Sequence, residues 1–519
     1  MTGGMSSSIP NAVRICVNMR FLLLLGLVAG ASVSAQVTLP TILTSHMVVQ
    51  RDLPVHVWGM AAPGEGVSVS FREETRATTA GRLGRWSVYL KPGAAGGPFQ
   101  LIVKGGIEAG GDADPAQTIT LDDVLVGDVW IASGQSNMEF KMRQAATAEG
   151  DLPHAANARI RLMMVKQKAS EFPLDDVDTE GWVTSTPETA KDFSAVGWYF
   201  AREIEQREHV PVGVIDSTWG GTVAEAWTRV TALGEDAALA PVFASWGRMT
   251  ERESDALLRD KDEQRQREEA KAQGKPEPQF PWHPQLLSWG PGMLWNGMIA
   301  PLTPFPIRGA IWYQGESNSK LERAPLYGRV FRTLIEDWRR KWGEGDFPFL
   351  FVQISNFKSD ANEDWATVRE QQRRTLELND TAMAVTIDIG NPDNVHPTDK
   401  VDVGLRLALA ARVLSYGEDI SYSGPMFRQA TPEGNAIRVW FDHHAKGLAA
   451  KGGALTGFEV AGADGKFVAA TATIDGNTAV AQSPAVAEPV YVRYGWANSP
   501  ECNLFNGEGL PASPFTSVE

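Results

Sequence analysis

Cysteine is nearly missing from this 519-residue chain. There are two, and Cys16 lies in an apolar N-terminal stretch, which leaves Cys502 as the only thiol further on. That count excludes an internal disulfide in the processed chain and a zinc site built on Cys/His pairs. Basic residues are also short, with 48 Lys and Arg against 63 Asp and Glu, a formal net charge of -15 and a pI near 5.2. Such a surface repels phosphate backbones and anionic bilayers, so nucleic acid and membrane surfaces are not expected partners. Long hydrophobic runs are lacking too. The most apolar one, Phe21 to Ala29, falls short of the ~20 residues that a membrane span needs.

That run reads instead as an export signal over residues 1–35. Arg14 and Arg20 precede it, and Val33-Ser34-Ala35 supplies small residues for cleavage before Gln36. The segment holds two arginines and no acids, so the remainder carries a charge of -17. A periplasmic or secreted protein is expected.

What is present is an ordinary globular composition, 43% hydrophobic and 21% charged, long enough for about two to four domains. Residues 36–121 alternate apolar and polar positions between turn signals such as Pro63-Gly64, which predicts a small β domain. From 122 to 424 the pattern changes. Apolar runs at 124–132, 159–165, 212–216, 308–313, 347–354 and 382–388 alternate with helical patterns at 193–208, 325–342, 363–378 and 399–415. Near-continuous apolar strands between helices predict an α/β layer sandwich on a parallel sheet. Residues 231–280 interrupt it with a charged, helical insertion. From 425 to 519 the β rhythm returns around Asp464-Gly465 and Asp475-Gly476, both hairpin signals. This last segment is expected to form its own β domain or to pack with the first.

Candidate chemistry sits just past the predicted strands, where ligand sites of open α/β sheets lie. Ser136 follows the run ending at Ala132, inside Gly134-Gln135-Ser136-Asn137. A serine hydroxyl is a weak nucleophile without a base to take its proton. His396 meets that need, because it follows the last apolar run and carries Asp393 one turn ahead to hold its Nδ1–H. Gly220 and Gly221 follow another run, and Gln314, Glu316 and Asn318 follow a third. Backbone N–H groups and neutral amides in those loops can receive an oxyanion, which the ionised Glu316 cannot. The pair His443-His444 does not make a metal site on a strand, where neighbours face opposite sides.

Gly134-Gln135-Ser136-Asn137-Met138, Gly220-Gly221-Thr222, Gln314-Gly315-Glu316-Ser317-Asn318 and Asp393-x-x-His396 together resemble the sialate O-acetylesterase group of the SGNH hydrolase superfamily. The resemblance implies a flavodoxin-like three-layer domain, catalysis without metal or cofactor, and removal of acetyl groups from sugars. It makes Ser136 the nucleophile, His396 the base and Asp393 its orienter. The oxyanion hole it implies combines Ser136 N–H, Gly220 or Gly221 N–H and an amide of Gln314 or Asn318. Gln135 and Glu316 are auxiliary; Gln135 either shapes the nucleophile's loop or touches the sugar. A G-x-S-x-G elbow is absent, since Met138 takes the place of its second glycine.

Seventeen tryptophans suit a sugar ligand, and Trp219, Trp227, Trp312 and Trp365 fall near these loops. A sialic-acid site needs a cation for the sugar carboxylate, and no basic cluster lies beside the motifs. The expectation leans to plant cell-wall carbohydrate, xyloglucan or xylan, with a sialate 9-O-acetylesterase as alternative. A carbohydrate-binding protein with a relic site is the alternative of another class, and the intact Ser136, Asp393 and His396 argue against it.

Overall fold

The computed structural model describes residues 36–107, 117–252, 255–281 and 283–518; the expected export signal lies outside them. Val124 to Ala132 is apolar except for Gly127 and Asp128, a composition suited to a strand covered on both faces. It forms the second half of Thr118–Gly134, buried throughout from Val124 onward. Asp128 is tolerated there because Arg51, Arg308 and Tyr416 all hydrogen-bond its carboxylate, at 2.9, 3.0 and 2.8 Å.

This long strand joins two sheets. Its first half pairs antiparallel with Gly96–Ile107, and its second half runs parallel to Val212–Thr218 and Gly309–Tyr313. The expected boundary between residues 121 and 122 therefore falls inside one continuous strand. A β-rich N-terminal segment is present, but it shares its last strand with the parallel sheet.

The parallel strands are those predicted: Thr118–Gly134, Asn157–Val165, Val212–Thr218, Gly309–Tyr313, Phe349–Val352 and Thr381–Ala384. Counted in chain order they lie as 2-3-1-4-5-6, with Thr179–Ser185 antiparallel at the outer edge beside the second. Without Asn157–Val165 the other five lie as 2-1-3-4-5, the order expected of a flavodoxin-like sheet. Asn157–Val165 is an addition outside them: Val212–Thr218 is buried at every residue and keeps an inner place, whereas Asn157–Val165 keeps exposed positions and takes the outer one.

Alternation along the strands sorts side chains into two cores. Trp130, Ala132, Ile311 and Leu350 face the helices Ala195–Glu208 and Val401–Leu414. Val129, Ile131, Trp312 and Phe351 face the helices Tyr327–Trp342 and Trp365–Thr375. The result is a helix–sheet–helix sandwich. Trp227, Trp312 and Trp365 belong to this packing, with Trp312 edge-on to Trp227 and Trp338 at 6.1 and 5.9 Å between centroids. They are core, not sugar platforms.

The charged insertion folds as the helices Val230–Glu235, Ala240–Arg252 and Ala256–Ala272. The C-terminal strands build a separate core around Ile437, Val439, Phe441, Val460, Val492 and Phe515. They dock on the helix–sheet–helix layer, and among the described residues no hydrogen bond joins them to the N-terminal strands. Trp365 N–H donates to Asn498 Oδ1 at 2.9 Å, and Gln353 Nε2 donates to Ser513 Oγ at 2.8 Å. Buried Arg369 donates to the carbonyls of Ser355, Ala497 and Asn498.

Candidate active site

Where the central strand ends, only glycine fits at Gly134. Its φ is +132°, and a Cβ there would lie 2.2 Å from the carbonyl oxygen of Tyr313 on the neighbouring strand. Gln135 N–H donates to that same carbonyl at 3.0 Å. The chain then turns into the short helix Ser136–Glu139, which lifts Ser136 off the sheet end.

His396 arrives from the loop after the last parallel strand, 260 residues away, and its Nε2 lies 2.7 Å from Ser136 Oγ. Asn394 Oδ1 fixes the start of that loop by accepting His396 N–H at 2.9 Å. Burial lowers the imidazole pKa from its ordinary value, and the Lys400 charge lowers it further. The ring is thus held neutral at neutral pH, the form in which Nε2 accepts the Ser136 proton.

Asp393 does not take its expected place. Its side chain is 80% exposed, and Oδ1 accepts from Lys358 Nζ at 3.1 Å. No hydrogen bond or ion pair joins it to His396 among the described residues. The local reason is an Asx turn, Asp393 N–H donating to Asn391 Oδ1 at 2.9 Å, beside the competing lysine.

The oxyanion candidates divide. Gly220 packs so close to Ser136 that a Cβ there would lie 3.2 Å from Ser136 Cβ. Its N–H, however, donates to Glu139 Oε2 at 2.6 Å. Gln314 Nε2 donates to Thr222 O at 3.2 Å and Asn318 Oδ1 at 2.7 Å. Asn318 Nδ2 donates to Glu225 Oε2 at 2.8 Å, and Arg323 pairs with that carboxylate. Both amides therefore brace the third loop. The N–H groups of Ser136 and Gly221 have no partner among the described residues, and Gly221 keeps φ at +72°.

The residues flanking Ser136 turn inward. Gln135 Oε1 accepts from Ser317 N–H at 3.2 Å and Gly315 N–H at 3.4 Å, tying the first loop to the third. Asn137 is fully buried. Its Nδ2 donates to Glu316 Oε1 at 2.6 Å and to Val395 O at 3.0 Å, while Oδ1 accepts from Lys400 Nζ at 2.6 Å. One amide thus links the Ser136 loop, Glu316 and the residue preceding His396. Burial raises the Glu316 pKa and pushes Lys400 down to about 7.

Sequence reasoning passed over Lys400 and Glu139. Nothing in His396-Pro397-Thr398-Asp399-Lys400 distinguishes that lysine from a solvated one; only the fold shows Nζ 5.2 Å from the Tyr313 ring and 4.8 Å from the Phe140 ring. Glu139, three residues past Ser136, is raised by burial. Nearby Asp216 is pushed up to about 7, mainly by burial and further by the Glu139 charge. Among the described residues no group of three or more His, Cys, Asp or Glu could hold a metal ion.

A neutral imidazole against a hydroxyl, with free N–H groups beside it, is equipment for acyl transfer. Comparison with known proteins gives that chemistry a family. Residues 287–415 match the family model described as carbohydrate esterase, sialic acid-specific acetylesterase. The chain is 32% identical to the sialate O-acetylesterase of Mus musculus over 421 residues, 74% of each chain. It is 30% identical to that of Homo sapiens over 421 residues, 74% of this chain and 72% of the other. The crystal structure of a carbohydrate acetylesterase from Xanthomonas citri superposes with a TM-score of 0.79 at 38% identity, covering 92% of this chain and 99% of that one. The chain belongs to the sialate O-acetylesterase family of carbohydrate esterases, hydrolases of acetyl esters.

Proposed function

We propose that this enzyme releases acetate from neutral plant cell-wall oligosaccharide or polysaccharide, xyloglucan or xylan, through an acetyl-serine intermediate. The observation that carries the mechanism is the 2.7 Å contact between Ser136 Oγ and His396 Nε2. As Ser136 Oγ attacks the acetyl carbonyl, its proton passes to Nε2. Ser136 N–H and Gly221 N–H receive the negative oxygen. The imidazolium then gives its proton to the departing sugar oxygen, leaving acetyl-Ser136. Water, deprotonated by the same nitrogen, cleaves that ester to acetate. Asp393 joins by turning from Lys358 to Nδ1, where its carboxylate stabilises the imidazolium. Gln314, Asn318, Gln135 and Glu316 hold the loops.

Two features support a neutral sugar. The chain beyond residue 35 carries a charge of -17, and Lys400, four residues past His396, is buried and spent on Asn137, so it is no partner for a sugar carboxylate. The competing reading is a sialate 9-O-acetylesterase; the names of the relatives support its coarser form, a sialate O-acetylesterase. Acetate release from acetylated xyloglucan, acetylated xylan and 9-O-acetyl sialic acid separates them. The expected result is kcat/KM at least about tenfold higher for a neutral polysaccharide, a difference of ~1.4 kcal/mol; a higher value for the sialic acid overturns the reading. The same reading places the protein outside the cytoplasm, with its N-terminal segment removed. Mass spectrometry of protein recovered from the periplasm or medium checks this, with Gln36 expected as first residue.

A further inference from the structure

The charged insertion does more than cover surface. Its helix Ala256–Ala272 carries Glu263 and Arg267 one turn apart, and the chain after it brings Phe280, His283 and Trp289 against Gly220 and Gly221. These residues enclose a cavity of about 220 Å³. At ~30 Å³ per water it holds about seven waters, the bulk of one pyranose ring. One wall is the backbone that touches the nucleophile, since Gly220 packs on Ser136 Cβ.

The walls combine apolar faces with matched charges. Trp289 Nε1–H donates to Gly221 O at 2.7 Å, which fixes its ring relative to the oxyanion loop. The Arg267 guanidinium sits 5.1 Å from the Phe280 ring centroid. Glu263 Oε1 is 3.0 Å from His283 Nε2, and Oε2 is 3.7 Å from Arg267 Nη2. Asp260 stands behind His283, at 3.6 Å from Nδ1, and pairs with Arg259 at 3.5 Å. Each carboxylate thus has its own guanidinium, and Arg267 is already matched by Glu263. A sugar carboxylate would have to compete with Glu263 for Arg267, whereas hydroxyls find donors and acceptors beside an aromatic wall.

We infer that this cavity is a subsite for one neutral pyranose unit of the substrate, with Phe280 and Trp289 as its apolar walls and Glu263 and Arg267 as its polar partners. The inference rests on the acetylated-carbohydrate reading above and names where the sugar beside the ester is held. The insertion is then the part of the chain that selects the sugar.

The test compares kcat/KM for an acetylated xyloglucan oligosaccharide with kcat/KM for 4-nitrophenyl acetate, which offers no sugar. Wild type, Glu263→Gln, Arg267→Met and Phe280→Ala are measured, with circular dichroism and melting curves confirming that each is folded. The ratio of the two values is expected to fall about tenfold or more in each variant, chiefly through KM of the oligosaccharide. A ratio unchanged in all three overturns the subsite while leaving the esterase reading intact. A wild type that cleaves 4-nitrophenyl acetate but no acetylated sugar overturns both. Cleavage of 9-O-acetyl sialic acid that is lost only in Arg267→Met overturns the neutral assignment.

Discussion

At the scale of single residues, the proposed mechanism makes His396 set the pH dependence. A base must be neutral to work, so activity is present above its folded-state pKa and lost as pH falls through it. Burial and the Lys400 charge both lower that pKa, so the acid limb of kcat/KM is expected below the ~6.5 of an ordinary histidine. Lys400→Met removes the charge and moves the limb upward in pH-rate profiles; a limb that stays put contradicts this electrostatic role. Asn137→Ala leaves Lys400 and Glu316 unpaired in the interior and loosens the Ser136–His396 geometry. About 10²-fold of kcat is expected to be lost, with ~1–3 kcal/mol of stability. Asp216 acts on stability. Its folded pKa of about 7 exceeds an unfolded value of ~3.9, so the folded state holds more protons between those limits. Stability is therefore greatest below pH ~4 for this group and declines as pH rises toward 7. Chemical denaturation of Asp216→Asn across that range is expected to show a flatter profile than wild type.

At the scale of elements, what was legible in the sequence depended on repetition. The six parallel strands show as apolar runs because both sheet faces are covered, and the helix Ala195–Glu208 shows in Phe193, Val196, Tyr199, Phe200 and Ile204. Ser136 and His396 were legible because strand ends are where such sheets expose chemistry. The Asn137–Glu316–Lys400 link was not, because its partners lie 179 and 263 residues from Asn137 and no periodicity marks them. The place of Asn157–Val165 outside the other five strands was not legible either, since it depends on which strand keeps exposed positions. Asp393 was found as a sequence neighbour of His396, but its side-chain direction is decided by Lys358. Element geometry also sets a prediction. Gly220→Ala places a methyl against Ser136 Cβ and Glu139, and about 10²-fold of kcat should be lost in 4-nitrophenyl acetate assays with little change in melting temperature.

At the scale of the whole molecule, the catalytic sheet is held from both ends. The Thr118–Gly134 strand is the spine of the N-terminal sheet and also leads into Ser136. The C-terminal strands clamp the helix Trp365–Thr375 through Arg369, Gln353 and Asn498. These flanking parts stabilise the layer that positions His396. Arg369→Met should cost about 3 kcal/mol by leaving buried carbonyls unpaired, seen as a lower denaturant midpoint. The account's central claim is that one serine, activated by one histidine, performs the hydrolysis. Its most direct test is acetate release by Ser136→Ala beside wild type on an acetylated oligosaccharide, with mass spectrometry of acid-quenched enzyme. The account predicts a fall of about 10⁴-fold or more and, in wild type alone, a peptide containing Ser136 heavier by one acetyl group. Equal turnover by both proteins, or an acetyl adduct on another residue, would contradict it.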